Sequence, residues 1–293
     1  DRTLVLVANY HKMIEELGLS GTSRVIEVAS NDGYLLQYFV ERGIPALGIE
    51  PATNVAEAAI VKGVPTLLKF FGRETARALV AAEQQADLLI GNNVLALVHD
   101  LNDFVAGMKM VLAPRGVITL EFPHLMRLMA ETQLDTIYHE HLRYYSLYSL
   151  KYLLEMLDLE VFHARPIPSH GGSIRVYAAR RGAHPLEASV RHMLAEEPHG
   201  HAMTKRLAAF RNDVILSKLK LLSMLSGLKE KGARIAGISA PSRSSTLVNY
   251  VGLDEGLIDY VCEIAGSLKI GKYMPGTQIP VVDETRLFEE QPD

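Results

Sequence analysis

Short apolar runs alternate with helical segments through the first 122 residues, and this rhythm limits the folds open to the chain more than any other feature. Strands that alternate with helices at this spacing indicate a doubly wound, parallel α/β sheet. Strands are predicted over 24–29, 46–50, 66–70, 87–91 and 117–122, and helices over 4–18, 34–42, 54–62, 73–84 and 100–112.

The rhythm changes after Phe122, where a stretch rich in histidine and aromatic residues begins. Further on, the pattern predicts a helix over 147–158, strands over 160–165 and 172–180, mostly helix over 186–231, and a second strand–loop–helix–strand pattern from Arg234. We therefore expect a first domain over 1–182, a helical connector over 183–232 and a smaller C-terminal α/β lobe over 233–293.

Composition excludes several classes of protein. The formal net charge of −4 argues against a nucleic-acid-binding surface. No apolar run approaches the roughly 18–20 residues of a membrane span, and the first residues lack the pattern of a signal peptide. The lone Cys262 excludes an intramolecular disulfide and a zinc site built from cysteines. We expect a cytoplasmic protein; its oligomeric state leaves no signal in the sequence.

The loop after the first predicted strand lies where doubly wound sheets bind nucleotides, at the carboxyl ends of the strands. Glu50 ends the second predicted strand, about 20 residues further on, where an acid binds both hydroxyls of a ribose. Two asparagines follow the fourth strand and face an adenine or the transferred group in this architecture, although an Asx turn explains them equally well. The predicted cofactor-binding residues are Glu27, Ser30, Asn31, Asp32, Gly33, Glu50, Pro51, Asn92 and Asn93.

Two cofactors fit this loop, and its chemistry favours one. A dinucleotide needs a glycine-rich turn around its pyrophosphate, whereas this loop has one glycine and an aspartate that repels phosphate. S-adenosylmethionine carries no phosphate and is cationic at its amino group and sulfonium, so Glu27 and Asp32 suit it better. We predict S-adenosylmethionine as the cofactor, with an NAD(P)-dependent oxidoreductase as the alternative. A simple capped turn explains the loop taken without Glu50.

A histidine-rich segment follows the fifth predicted strand. Tyr138, Glu140 and His141 supply acid, base and hydrogen-bonding groups near neutral pH, and His170 stands in a glycine-rich turn before a later strand. Methyl transfer to carbon needs a base and a donor to an enolate oxygen, so these groups favour an acceptor carbon alpha to a ketone. The alternative is a metal-dependent hydrolase whose metal is bound by His139, His141 and His170; we predict no metal.

The C-terminal lobe has its own candidate site. Ser242 and Arg243, with the hydroxyl residues 244–246, precede a predicted helix and are suited to a phosphate. Lys269 and Lys272 are further candidate phosphate contacts. The alternatives are a serine-rich helix cap and solvated charges.

Several motifs, in order along almost the whole chain, resemble the nucleotide-sugar C-methyltransferases, which methylate C3 of thymidine-diphosphate-linked 4-keto-deoxysugars. The motifs are VIEVASNDGYLL at 25–36, GIEP at 48–51, EFPH at 121–124, DTIYHEH at 135–141, SHGGS at 169–173 and KYMPGTQIP at 272–280. The resemblance implies a small-molecule nucleotide-sugar substrate and no membrane or nucleic-acid partner.

The resemblance also implies roles for particular residues. His141 corresponds to the base that removes the C3 proton, Tyr138 and Glu140 position the sugar, and His170 assists at the sugar or its enolate. The C-terminal lobe, including Tyr273, binds the nucleotide.

Three departures from the family pattern stand beside these roles. The family's zinc-binding lobe built from cysteines has no counterpart in this sequence, where it is either lost or truncated. The family's Gly-x-Gly-Ala loop with its lysine reads GISAPSR at 237–243, and Glu263 stands near a family aspartate. A non-catalytic nucleotide-binding relative is therefore a further alternative.

Overall fold

The computed structural model of the chain describes Tyr10 and residues 13–293. Most of the helix predicted over 4–18 lies outside the described residues, while residues 13–16 are helical. The described strands are β1 (Val25–Val28), β2 (Ala46–Ile49), β3 (Thr66–Leu67), β4 (Ala86–Asn92), β5 (Leu112–Pro123), β6 (Leu159–Ile167), β7 (Ser173–Arg180), β8 (Ala236–Ile238), β9 (Tyr260–Glu263) and β10 (Val281–Asp283). The described α-helices are α1 (Gln37–Val40), α2 (Thr53–Val61), α3 (Arg73–Ala81), α4 (Leu101–Val111), α5 (Leu125–Ala130), α6 (Leu147–Glu155), α7 (Ala188–Glu196), α8 (His201–Lys229), α9 (Ser244–Val251) and α10 (Thr285–Glu290).

The chain divides into two compact units. The first comprises the described residues up to Arg127 together with Leu142–Glu197, and the second comprises Leu128–His141 and Pro198–Asp293. The expected domain limits at 182 and 232 stay predictions. No helix in the part of the chain that the structure describes is long and apolar enough to cross a membrane.

The first unit is built on a seven-stranded sheet with the order β3-β2-β1-β4-β5-β7-β6. The pairs from β3 to β5 are parallel, and β7 is antiparallel to both β5 and β6. The predicted α/β sheet is confirmed, with an antiparallel strand inserted near one edge. Because only a short turn joins β6 to β7, these two strands can pair only as an antiparallel hairpin.

The central strands are buried on both faces, as is usual for parallel strands covered by helices. Every residue of β1 is buried, and the apolar side chains of β1, β4 and β5 are divided between two core clusters. Three buried charged side chains interrupt these apolar strands. They are Glu27 on β1, Glu121 on β5 and Arg175 on β7.

Two predicted elements of the first unit are shorter in the structure. The strand predicted over 66–70 is limited to Thr66–Leu67, and the helix predicted over 34–42 is α-helical only over Gln37–Val40. Tight turns replace the missing helical residues, because the amides of Gly33, Tyr38 and Phe39 bond to carbonyls three residues earlier.

The second unit contains a parallel three-stranded sheet with the order β10-β9-β8. Val248, Val261 and Ile279 are in its apolar core with Leu225 of α8. This arrangement confirms the strand–loop–helix–strand pattern predicted from Arg234.

The helix predicted over 186–231 is broken into α7 and α8. Glu197 is extended, with a φ of −83° and a ψ of 126°, because the proline after it disfavours the helical conformation. Gly200 follows with a φ of +53° and is the residue before α8.

Glu197 anchors the end of α7 within the first unit. Its carboxylate accepts hydrogen bonds from the backbone amides of Leu147 and Tyr148, at 2.7 and 2.8 Å, at the N-terminus of α6. His124 Nε2 lies 2.7 Å from the same carboxylate, which is 4% exposed. Burial alone would raise the pKa of Glu197, but these hydrogen bonds hold it below the usual range.

Replacement of Glu197 by glutamine tests this anchor. We expect a loss of about 2 kcal/mol in the free energy of unfolding near neutral pH, because the charge facing two buried amides is removed. The folded-state pKa is depressed, so this stabilisation is present above the unfolded pKa and is lost as pH falls through the folded pKa. Denaturant unfolding across pH should therefore show the two proteins converging in acid. Glu196→Gln, on an exposed neighbour, serves as the control; an equal loss there would contradict the anchor.

Candidate functional site

The loop after β1 is tied to the end of β2 by Glu50. One carboxylate oxygen accepts from the backbone amide of Asn31 at 3.1 Å, and the other accepts from that of Ala52 at 2.9 Å. Asn31 has a φ of +51° and donates from its side chain to the carbonyl of Ala29 at 2.9 Å. Glu50 is 7% exposed and still has lone pairs available for further donors.

Gly48 is required for the close approach of this loop to β2. Ser30 is fully buried, and a Cβ added at Gly48 would lie 2.4 Å from Ser30 Oγ. Gly33 has a φ of +71°, and its position also borders Val64 closely. The missing side chains of Gly48 and Gly33 therefore let the loop pack closely against its neighbours.

Glu27 is a buried carboxyl on β1 of the first unit. It pairs in register with Gly48 on β2 and is 1% exposed. Burial raises the pKa of its carboxyl well above the usual range. Its Oε2 atom has no hydrogen-bond partner within the described residues. A buried carboxyl in this condition is suited to a cationic ligand, because a positive charge would favour its ionised form.

The other predicted cofactor residues differ in how they are engaged. Asp32 forms a 2.5 Å ion pair with Lys62, so its charge is partly compensated, and Pro51 is exposed. Asn92 Nδ2 donates to the Tyr10 hydroxyl at 2.6 Å, while its Oδ1 has no partner among the described residues. Asn93 has a φ of +53°, and its amide donates to the carbonyl of Glu121 at 2.7 Å. The structure thus brings the predicted loop residues to the carboxyl ends of β1, β2 and β4.

In the second unit, His141 and Tyr138 are adjacent, with ring centroids 4.4 Å apart. His141 Nδ1 lies 2.8 Å from the backbone carbonyl oxygen of Thr136. Because a carbonyl oxygen only accepts, Nδ1 carries the proton, and Nε2 is the basic nitrogen of the neutral ring. Burial, followed by the charge of Glu140, raises the pKa of the Tyr138 hydroxyl, so this group stays a protonated donor at neutral pH.

His139 projects outward from the same segment. Its side chain is 86% exposed and lies 4.0 Å from Glu140, whose side chain is 56% exposed. Within the described ranges, no group of three or more His, Cys, Asp or Glu side chains is placed to hold a metal ion.

His170 lies in a tight turn of the first unit, over Ser169–Gly171. Its backbone is left-handed, with a φ of 52° and a ψ of 35°, which is unfavourable for a residue other than glycine. The same turn continues through Gly172, where the φ is +107° and a Cβ would press against Arg127. The predicted catalytic residues are therefore divided between the units: His170 in the first, and Tyr138, Glu140 and His141 in the second.

Glu263 closes the loop after β8 in the second unit. Its Oε1 accepts from the backbone amide of Ala240 at 2.6 Å, and this bond is the largest reason that its pKa is lowered. Lys269 Nζ donates to the carbonyl of Ala240 at 2.7 Å and lies 3.4 Å from Glu263. Lys269, predicted as a phosphate contact, is thus already part of the loop's framework. Ser239 adopts a φ of +69° there, a conformation that favours glycine.

Arg243 connects this loop to the histidine-rich segment. Its Nε lies 3.3 Å from Asp135 Oδ2, and Thr246 Oγ1 donates to the carbonyl of Ile137 at 3.3 Å. The remaining substrate candidates are exposed: Ser242, Lys272 and Tyr273.

Sequence reasoning did not predict three contacts that the structure shows at these places: Tyr10 with Asn92, Glu121 with Arg175, and Glu263 with Ala240. Glu121 and Arg175 did leave a signal. Each is a charged residue inside an apolar strand, and a buried charge needs a partner. Tyr10 left none, because a tyrosine in a helical pattern is an ordinary core residue.

Solved structures with similar folds include an S-adenosylmethionine-dependent methyltransferase from Clostridium acetobutylicum. It is 11% identical, with a TM-score of 0.49 over 60% of this chain and 91% of that chain. Magnesium protoporphyrin IX methyltransferase from Synechocystis with bound SAH is also 11% identical, with a TM-score of 0.48 over 61% of this chain and 83% of that one.

Sequence comparisons cover both units. Residues 3–164 match the model of a family described as "Methyltransferase domain", and residues 168–293 match one described as "C-methyltransferase C-terminal domain". A curated relative, "C-methyltransferase NovU" from Streptomyces niveus, is 33% identical over 282 residues, which are 96% of this chain and 67% of the relative. The chain therefore belongs to the S-adenosylmethionine-dependent C-methyltransferases.

Proposed function

We propose that this enzyme methylates a carbon alpha to a ketone, at C3 of a nucleotide-linked 4-keto-deoxysugar, with His141 as the base. The observation that carries the proposal is the bond from His141 Nδ1 to the carbonyl of Thr136, at 2.8 Å. It orients the ring and makes Nε2 the proton acceptor, as general-base catalysis requires.

S-adenosylmethionine supplies the electrophilic methyl group when bound, and the residues of the first unit fit it. Glu50 would accept from the two ribose hydroxyls, since its carboxylate is already fixed by Asn31 and Ala52. Glu27 would bind the cationic amino acid end, since it is a buried carboxyl that lacks a partner at Oε2 among the described residues. Asn92 Oδ1 and Ser30 supply further buried acceptors or donors.

The residues of the second unit would carry out the proton chemistry. His141 Nε2 takes the C3 proton, and the electron pair of the broken C–H bond delocalises onto the ketone oxygen as an enolate. Tyr138, kept protonated by its raised pKa, is suited to donate a hydrogen bond to an oxygen of the sugar. Glu140 would accept from a sugar hydroxyl. His170, which belongs to the first unit, would assist at the sugar or its enolate.

The nucleotide part of the substrate would bind in the C-terminal lobe. Arg243 offers the fixed donor geometry that matches phosphate oxygens. Its ion pair with Asp135 is partly exposed, so replacing Asp135 by a phosphate as its partner costs little free energy. Ser242, Lys272 and Tyr273 are exposed on the same unit and complete the proposed contacts. Lys269 would act indirectly, since it holds the loop through Ala240. A cytoplasmic location stays a prediction.

Glu50→Gln tests the cofactor site. We expect the affinity for S-adenosylhomocysteine to fall about tenfold, because one charged acceptor for the ribose is lost. Calorimetric titration measures the change, and Glu57→Gln on the exposed face of α2 is the control that should bind normally. Unchanged affinity in the Glu50 variant would remove Glu50 from the site. NAD and NADP titrated in parallel should give no heat, since the loop after β1 lacks the glycine-rich turn that a pyrophosphate needs.

His141→Gln tests the base. We expect kcat on a thymidine-diphosphate-linked 4-keto-deoxysugar to fall at least about 100-fold, with the affinity for S-adenosylhomocysteine unchanged. Solvent-deuterium exchange at C3, followed by NMR, reports proton removal directly and should fall in parallel.

His139→Gln is the matched control for that variant, since it changes the exposed histidine two residues away. It should keep turnover close to that of the original protein. Full turnover in the His141 variant would contradict the role of His141 as the base. If the unaltered protein binds S-adenosylhomocysteine but turns over no keto-sugar, a non-catalytic relative would be favoured.

A further inference from the structure

A buried ion pair lies within the first unit's sheet, outside the groups that the proposed chemistry uses. Glu121 on β5 and Arg175 on β7 are register partners, and Arg175 Nη2 lies 2.5 Å from Glu121 Oε2. The two residues are only 2% and 1% exposed. Taking both charges out of water costs several kcal/mol per ion, so such a pair is a weak source of stability. Its other contacts indicate a different role.

The second oxygen of Glu121 reaches the turn that carries His170. Glu121 Oε1 accepts from Ser169 Oγ at 2.9 Å. The carbonyl oxygen of Ser169 in turn accepts from the amide of Gly172 at 2.9 Å and from Ser173 Oγ at 3.1 Å. One carboxylate therefore joins a strand of the sheet to the first residue of the turn.

Arg175 fixes the orientation of that carboxylate from the other side. Its guanidinium stands 5.0 Å from the centre of the Tyr10 ring, in a cation–π contact. The chain of contacts thus runs from Tyr10 through Arg175 and Glu121 to Ser169, with every member half-buried or buried.

The turn needs such support because its backbone is strained. His170 is left-handed, at a φ of 52°, and this conformation costs about 1–2 kcal/mol for a residue with a side chain. Strain of this kind persists where surrounding contacts over-determine the backbone. The hydroxyl of Ser169, the residue before His170, connects the turn to Glu121 on the sheet.

We propose that Ser169, Glu121 and Arg175 act as a positioning relay that sets the orientation of the His170 imidazole. This inference rests on the proposed function, in which His170 acts at the substrate. The three relay residues would not touch the substrate; they would act through His170. The relay also accounts for two motifs, EFPH at 121–124 and SHGGS at 169–173, as parts of one device.

Ser169→Ala breaks the relay at its junction with the turn and leaves the ion pair in place. We expect the ring signals of His170 in ¹H–¹⁵N NMR spectra, assigned by their loss in His170→Gln, to shift, together with the midpoint of their titration. Turnover should fall about tenfold in kcat while KM for the methyl donor is unchanged, as expected for a misplaced group near the reacting atoms. Ser169→Thr keeps the hydroxyl and should restore both readouts.

Thr119→Val is the matched control. Thr119 lies on β5 two residues before Glu121, is fully buried, and its hydroxyl has no partner in the described part of the chain. The substitution removes a buried hydroxyl from the same strand without touching the turn, so the His170 signals should stay where they are.

A second variant covers the case in which Ser169→Ala unfolds the turn as a whole. Glu121→Leu combined with Arg175→Met replaces the pair by apolar residues, which is often neutral for stability. It should keep its thermal midpoint yet shift the His170 signals in the same direction as Ser169→Ala. Unmoved His170 signals in both variants would overturn the relay. Shifted signals beside full turnover in His170→Gln would support the relay and instead contradict the catalytic role proposed for His170.

Discussion

Backbone pairing of β1 with β2 on one side and β4 on the other is the constraint on which the first unit's site depends. Because these strands pair in parallel, their carboxyl ends lie side by side. Residues distant in sequence therefore come together there through backbone pairing. Glu27 stands opposite Gly48, whose missing side chain leaves room for the buried Ser30. A register shift of one residue would turn the Glu27 carboxyl to the opposite face.

Buried carboxylates recur in this structure, and three of them hold a segment in place. Glu197 orders the start of α6, Glu263 orders the loop after β8, and Glu121 joins the sheet to the turn of His170. In all three cases the carboxylate accepts from groups on another segment of the same unit. Carboxylates suit this task because two oxygens bind donors from different directions. Glu27 differs, since its Oε2 atom has no hydrogen-bond partner among the described residues.

The strand–helix rhythm predicted the first unit's sheet well, because buried parallel strands are continuous apolar runs that contrast with the helices between them. The position of the loop around Glu27 and Glu50 was also predictable, since it follows from the strand ends, whereas the roles of these residues toward the cofactor stay predictions. The short α1 was not, because the turns before it use bonds to carbonyls three residues earlier, which leave the same apolar spacing as a helix. Neither was the tautomer of His141, which depends on a backbone carbonyl five residues away. Side-chain partners such as Tyr10 and Asn92, 82 positions apart, depend on the tertiary structure alone.

The division of the chain has a consequence for its modularity. Leu128–His141 belongs to the second unit although residues of the first unit precede and follow it, and the chain changes unit again after Glu197. No single cut of the polypeptide therefore yields two intact units: severing the chain after Glu197 would leave Tyr138, Glu140 and His141 attached to the wrong fragment. Exchange of whole C-terminal regions between relatives would carry Pro198–Asp293 but leave Leu128–His141 behind. The second unit is therefore exchanged intact only when both segments are replaced together, although 56 residues of the first unit separate them along the chain.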